Sequence, residues 1–102
     1  MQIILHAGNA RERMMEALDA LNGFDVAKAR ELLAKANEEI VQAHVAQTVE
    51  LQREANGEEA EFTVLLTHAQ DTCMAVNSEI LIANKLVELV EALDTRIKAL
   101  EK

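Results

Sequence analysis

The chain has 102 residues, half of them hydrophobic, yet only two are aromatic and none is proline. That balance excludes a β-sandwich or barrel, which needs aromatic and β-branched strands broken by many turn residues. Eighteen acidic against ten basic residues leave a formal charge of -8, which argues against nucleic acid as a partner, because phosphate backbones call for clustered Lys and Arg. One cysteine, Cys73, leaves no internal disulfide framework and no cysteine-rich zinc module. No apolar run reaches the length of a membrane span, and no basic-then-apolar leader opens the chain. The expectation is a soluble, cytoplasmic, helical protein.

The first helix is expected over Gln2 to Leu21, with apolar Ile3, Ala7, Ala10, Met14, Ala17 and Leu21 in alternating steps of four and three. Gly8 lies inside this pattern, where it costs about 1 kcal/mol against Ala; a close backbone approach or a fraying end would account for it. Asn22-Gly23 closes the helix, since Gly readily takes the left-handed conformation. Asp25 then offers an N-cap oxygen to the second helix, expected over Asp25 to Ala55. Its stripe is Ala29, Leu33, Ala36, Ile40 and Ala43, followed by the polar Gln47 before Leu51. Asn56-Gly57 is the second stop, and Glu58-Glu59-Ala60-Glu61 leads into a third helix expected over Glu61 to Leu100. Short connections make neighbours antiparallel, so the fold class is an all-α, up-down-up three-helix bundle, read as a single domain over 1–102.

The third helix repeats the spacing with Val64, His68, Asp71, Ala75, Ser78 and Ile82, read as its packing seam. Beyond Glu79 it is apolar around a wide arc that includes Leu81, Leu86, Leu89 and Leu93. Two neighbours in a small monomer cannot cover such a helix, so self-association through it is expected.

His68 and Asp71, three residues apart, share a helix face. A carboxylate on a buried seam needs a partner. If copies of this helix met around an axis, their Asp71 side chains would converge and call for protons or a hard cation. His44, Gln47 and Thr48 form a second polar group on one face of helix two. Height counting places His6, His44 and His68 in the same half of the bundle. Three histidines with Asp71 have donors for zinc or iron, but neither an i,i+4 histidine pair nor Glu-x-x-His is present. A histidine can also serve as a phosphoryl acceptor, its other nitrogen fixing the tautomer. Cys73 has no flanking charge to lower its pKa and reads as a small core residue. No glycine-rich phosphate loop exists.

At these residues the sequence resembles the IIA component of the lactose/cellobiose branch (N,N'-diacetylchitobiose included) of the bacterial phosphoenolpyruvate:sugar phosphotransferase system. The start Ile3-Ile4-Leu5-His6-Ala7-Gly8-Asn9-Ala10-Arg11 is similar to the family's opening. Asn22-Gly23-Phe24-Asp25 with Ala27-Lys28-Ala29 looks like its first turn. Ala43-His44 with Gln47-Thr48 matches its A-H-x-x-Q-T, and His68-Ala69-Gln70-Asp71 with Met74 matches its most specific block.

The resemblance implies a homotrimer, a nine-helix assembly, and a phosphotransferase component. His68 matches the histidine phosphorylated by the phosphocarrier HPr, which then passes the phosphoryl group to a cysteine of the IIB component during uptake of a β-linked disaccharide. Asp71 matches an aspartate that holds a metal ion, typically Mg2+, on the threefold axis. Gln70, Gln47 and His44 are candidates for contacts to the phosphoryl oxygens. Sugar choice and membrane contact belong to the IIC permease. The family's second histidine, one turn after His68, is replaced here by Thr72. The alternative is a structural or regulatory helical trimer that keeps the fold without transfer.

Overall fold

The computed structural model describes residues 1–57 and 63–101, with Thr63 described by its backbone only. Three helices follow in order: α1 (Gln2–Asn22), α2 (Val26–Ala55) and α3 (Thr63–Leu100). They form an antiparallel up-down-up bundle, long and thin at 66 × 18 × 16 Å. The stretch Glu58-Glu59-Ala60-Glu61, and with it the expected start of the third helix, lies outside the described residues.

In α1 the buried set is Ile3, Ala7, Ala10, Met14, Ala17 and Leu21, the stripe that periodicity marks. Three of these six residues are alanines, so the helix axes can approach closely. In α2 Ala29, Leu33, Ala36, Ile40 and Ala43 are buried as expected, joined by Leu32. Gln47 is half-buried and Leu51 is exposed, so the α2 stripe stops at Ala43.

The first turn corrects one expectation. α1 runs through Asn22, and Gly23 has φ -99°, outside the left-handed region. Phe24 takes that conformation instead, at φ 57°. The amide of Asp25 reaches Ala20 O (3.1 Å) and that of Phe24 reaches Leu21 O (3.0 Å). This is the paired closure of a Schellman motif, shifted one residue along because the helix is one residue longer. Asp25 then caps α2, its Oδ1 accepting from the Lys28 amide at 3.1 Å. At the second stop Gly57 is left-handed, φ 82°. A Cβ on Gly8 would meet no atom within 4 Å, so no close approach inside the chain explains that glycine.

The second correction concerns α3. The stripe that enters the core is Leu66, Ala69, Cys73, Val76, Ile80, Ala83 and Val87. Val64, His68, Asp71, Ala75, Ser78 and Ile82 are all exposed, Val64 at 85%. α3 has two stripes of one period on opposite sides, and spacing alone does not tell which one faces α1 and α2. Ion pairs fix the third helix on the other two: Arg11 Nη2 to Glu79 Oε1 at 2.6 Å, and Arg30 Nη2 to Glu91 Oε2 at 2.8 Å.

Candidate functional site

The three histidines occupy three levels of the bundle. His6 Nδ1 lies 2.6 Å from Glu39 Oε2, joining α1 to α2. His44 Nδ1 lies 3.9 Å from Cys73 Sγ, joining α2 to α3. Glu39 and His44 are five residues apart, as are Cys73 and His68, so each step is about 7.5 Å along the axis. The histidines share one half of the bundle, as height counting expects, but they do not converge. Among the described residues no group of three His, Cys, Asp or Glu side chains could hold a metal within one chain.

His68 stands on the exposed side of α3. Among the described residues neither of its ring nitrogens has a hydrogen-bond partner, so both are open to a reaction partner. Its carbonyl is not: Thr72 Oγ1 donates to it at 2.9 Å. Thr72 thus turns its hydroxyl onto the helix backbone rather than towards the imidazole. Thr48 does the same to the His44 carbonyl at 2.9 Å. Such back-bonding adds a local tie and bends a helix slightly.

Asp71 follows on the same outer face, also exposed and without an ion-pair partner among the described residues. Within one chain its carboxylate stays in water and pays no burial cost. The expensive situation inferred from a buried seam arises only if copies cover it.

The other polar candidates cluster elsewhere. Counting from the His44 and Cys73 contact, three residues up α2 and three back along α3 put Gln47 and Gln70 at one height. Gln70 is two residues from His68, roughly 200° around the helix, and so sits on its opposite flank, half-buried. His44, Gln47 and Gln70 therefore belong to the α2–α3 side, while His68 and Asp71 belong to the outer stripe. Gln47 Oε1 is buried and finds no hydrogen-bond donor among the described residues. An orphaned acceptor of this kind costs on the order of 1–3 kcal/mol.

Cys73 is fully buried in the core stripe. Burial away from water raises its thiol pKa above the usual value, because the thiolate loses hydration. It stays protonated and is no nucleophile. Glu39 and Glu79, the partners of His6 and Arg11, escape sequence reasoning. Their partners lie 33 and 68 residues away, and no local signal marks them.

In sequence and in fold the chain is similar to known proteins. The family described as "PTS system, Lactose/Cellobiose specific IIA subunit" matches residues 1–91. The chain is 44% identical over 90 residues to the lichenan-specific phosphotransferase enzyme IIA component of Bacillus subtilis, covering 88% of this chain and 82% of that one. It is 40% identical over 90 residues to the lactose-specific EIIA component of Streptococcus mutans, covering 88% and 84%. The crystal structure of the cellobiose-specific enzyme IIA from Bacillus anthracis superposes with a TM-score of 0.85 at 41% identity, over 92% of this chain and 86% of that one.

Proposed function

The chain belongs to the lactose/cellobiose-specific IIA family of the sugar phosphotransferase system, and on that footing we propose that it carries a phosphoryl group on His68 between two protein partners. The observation that carries this reading is the exposed His68 imidazole within the His68-Ala69-Gln70-Asp71 block, both ring nitrogens open. A ring nitrogen attacks the phosphorus of phospho-HPr; a new P–N bond forms as the donor's breaks, and the ring proton that His68 gives up is matched by the one the departing donor group takes. In the second encounter a IIB cysteine thiolate attacks the same phosphorus, the P–S bond forms, and His68 leaves as neutral imidazole by taking up a proton. No base within this chain is needed, because the group is loaded and discharged in separate encounters.

The assembly we propose is a homotrimer, with α3 outer stripes facing one another and residues 1–102 acting as one domain. An exposed run of Val64, Ile82, Leu86 and Leu89 on a helix otherwise packed in a bundle supports it. Within a chain Gln70 is on the wrong flank for His68, so a phosphoryl pocket holding both takes them from different copies. Gln47 and His44, on the Gln70 side, would come with it, and the Gln47 NH2 is a donor of the kind phosphoryl oxygens need. Copies would also bring Asp71 carboxylates together, one per chain. Oxygen donors of this kind suit Mg2+ or another hard divalent cation, which would neutralise them and take no part in transfer.

The cytoplasmic location and the indirect tie to the membrane follow from the partners; no helix among the described residues is long and apolar enough to cross one. Relatives named for lichenan, lactose and cellobiose share this scaffold. That spread supports a subunit that serves uptake of a β-linked disaccharide without choosing it.

The test is incubation with phosphoenolpyruvate, enzyme I and HPr. Acid-labile label on the wild type and none on His68→Gln is the expected result. No label on the wild type overturns the reading in favour of a structural or regulatory trimer.

A further inference from the structure

α3 outlasts the bundle that supports it. Val87 is its last core residue and Val90 the last that packs against the core. Among the described residues the Arg30–Glu91 ion pair is the last ion pair between α3 and α2, after which the helix continues to Leu100, about 14 Å further at 1.5 Å per residue. Residues 92–102 also lie beyond the family match, which ends at 91. An uncovered helical end of this length is marginal in water on its own.

The projecting end is nonetheless apolar on one side. Leu89, Leu93, Ile97 and Leu100 are exposed there, Leu100 at 86%. Ile82 and Leu93, Leu86 and Ile97, and Leu89 and Leu100 are each eleven residues apart. An eleven-residue repeat, 3.67 residues per turn, keeps an apolar line on one face of a nearly straight helix. The line continues the outer stripe that carries His68 and Asp71.

Two charges flank this line from opposite sides, Arg96 on one and Glu101 on the other. Among the described residues neither has an ion-pair partner within the chain, whereas Asp94 is already engaged by Lys98 at 3.0 Å. Arg96 and Glu101 are five residues apart, the offset at which flanking charges of adjacent parallel helices meet. In a parallel ring each basic flank faces the acidic flank of the next copy. An antiparallel pair would set Arg96 beside Arg96.

From these observations we infer that the end of α3, residues 92–101, is a self-association clamp: it packs in parallel against the same segment of further copies of this chain, with Leu93, Ile97 and Leu100 inside and Arg96 of one copy paired with Glu101 of the next. The clamp rests on the homotrimer reading above, whose threefold axis already makes the helices parallel, and adds to it a segment and a charge pairing. It closes the assembly at the end remote from His68.

Sedimentation of the full-length chain across a concentration series tests it. Leu93 and Leu100 are exposed and lie outside the buried core, so Leu93→Gln/Leu100→Gln should keep the helical fold by circular dichroism. That variant is expected to dissociate at concentrations roughly tenfold or more above those at which the wild type does. Arg96→Glu and Glu101→Arg should each weaken assembly by about tenfold, since each ring contact exchanges attraction for repulsion, and the double reversal should restore it. A wild-type trimer indifferent to the leucine substitutions, or a double reversal no better than the single ones, overturns the clamp alone. A wild-type monomer overturns the homotrimer reading and the clamp together.

Discussion

Two stripes run together along α3 as far as Val87, and each carries a side chain whose type can act as a nucleophile. The inner stripe holds Cys73 among Ala69, Val76 and Ile80; the outer one holds His68 and Asp71 between Val64 and Ile82. Their period is the same and both contain large aliphatic residues. What differs is solvent. Burial raises the Cys73 pKa and takes away its chemistry, while exposure leaves the His68 ring nitrogens open. A nucleophile in this bundle is useful only on the side the chain does not cover itself.

The contrast breaks first at the nucleophiles. His68→Gln should abolish labelling by phospho-HPr, and His6→Gln should leave it intact, because His6 is committed to Glu39, about 15 Å along the axis from His68. Full labelling of the His68 variant would sink the assignment. Cys73 should resist a thiol reagent at neutral pH and react only when the chain unfolds, by orders of magnitude in rate. With the folded-state pKa raised, the thiolate fraction at any pH below it is smaller than in the unfolded chain, so raising pH should speed labelling of the native protein later than that of the denatured one. Equal rates in the two states would place Cys73 at the surface.

Packing sharpens the comparison next. Ile80 and Ile82 are two residues apart on opposite stripes, one 2% and the other 60% exposed. Ile80→Ala should cost about 2–5 kcal/mol in urea unfolding, whatever the protein concentration, as a buried aliphatic truncation does. Ile82→Ala should cost little at concentrations where the chain is monomeric and more where it assembles. An Ile82 effect equal to that of Ile80 and independent of concentration would mean that the outer stripe is already covered within one chain.

These pairs also show where the sequence was legible. The α1 stripe is readable because it is the only continuous apolar line on α1: the far side carries Glu12, Glu16 and Asp19, with Leu5 and Met15 as isolated exposed apolar residues. The α3 stripes are not separable by period: both satisfy the same spacing, and only contact with α1 and α2 decides. The Phe24 conformation escapes for a related reason, since one extra residue of helix moves the left-handed position off the glycine. His68 and Asp71 stand out by resemblance to a family block, whereas periodicity alone puts them on the wrong seam. The pairing of His6 with Glu39 and the orphaned Gln47 oxygen depend on distant chain segments and leave no local trace.

A smaller effect separates Asp71 from His68 on the outer stripe. Asp71→Leu removes a charge where copies would meet and adds apolar area, and replacing a clustered ionic group with a packed one is often neutral or stabilising. The variant should stay folded and assembled, with a melting temperature insensitive to chelator. The wild type should melt lower in chelator than with Mg2+. Identical wild-type melts under both conditions would remove the cation from the axis.

The smallest expected effect lies on α1, and its sign carries the information. Gly8 is exposed, its backbone is helical, and a Cβ there meets no atom of the chain within 4 Å. Gly8→Ala therefore gains helix propensity without a clash and should raise the stability of the isolated chain by about 1 kcal/mol. If the outer stripe of α3 alone forms the contact between copies, the assembled protein should gain by the same amount. If α1 also lies in that contact, a copy's backbone close to Gly8 would be pushed away by the new methyl, and the substitution would stabilise the monomer while weakening the assembly. Urea unfolding at low concentration and sedimentation at high concentration read the two signs independently. A gain in both confines self-association to the one stripe that carries His68 and Asp71.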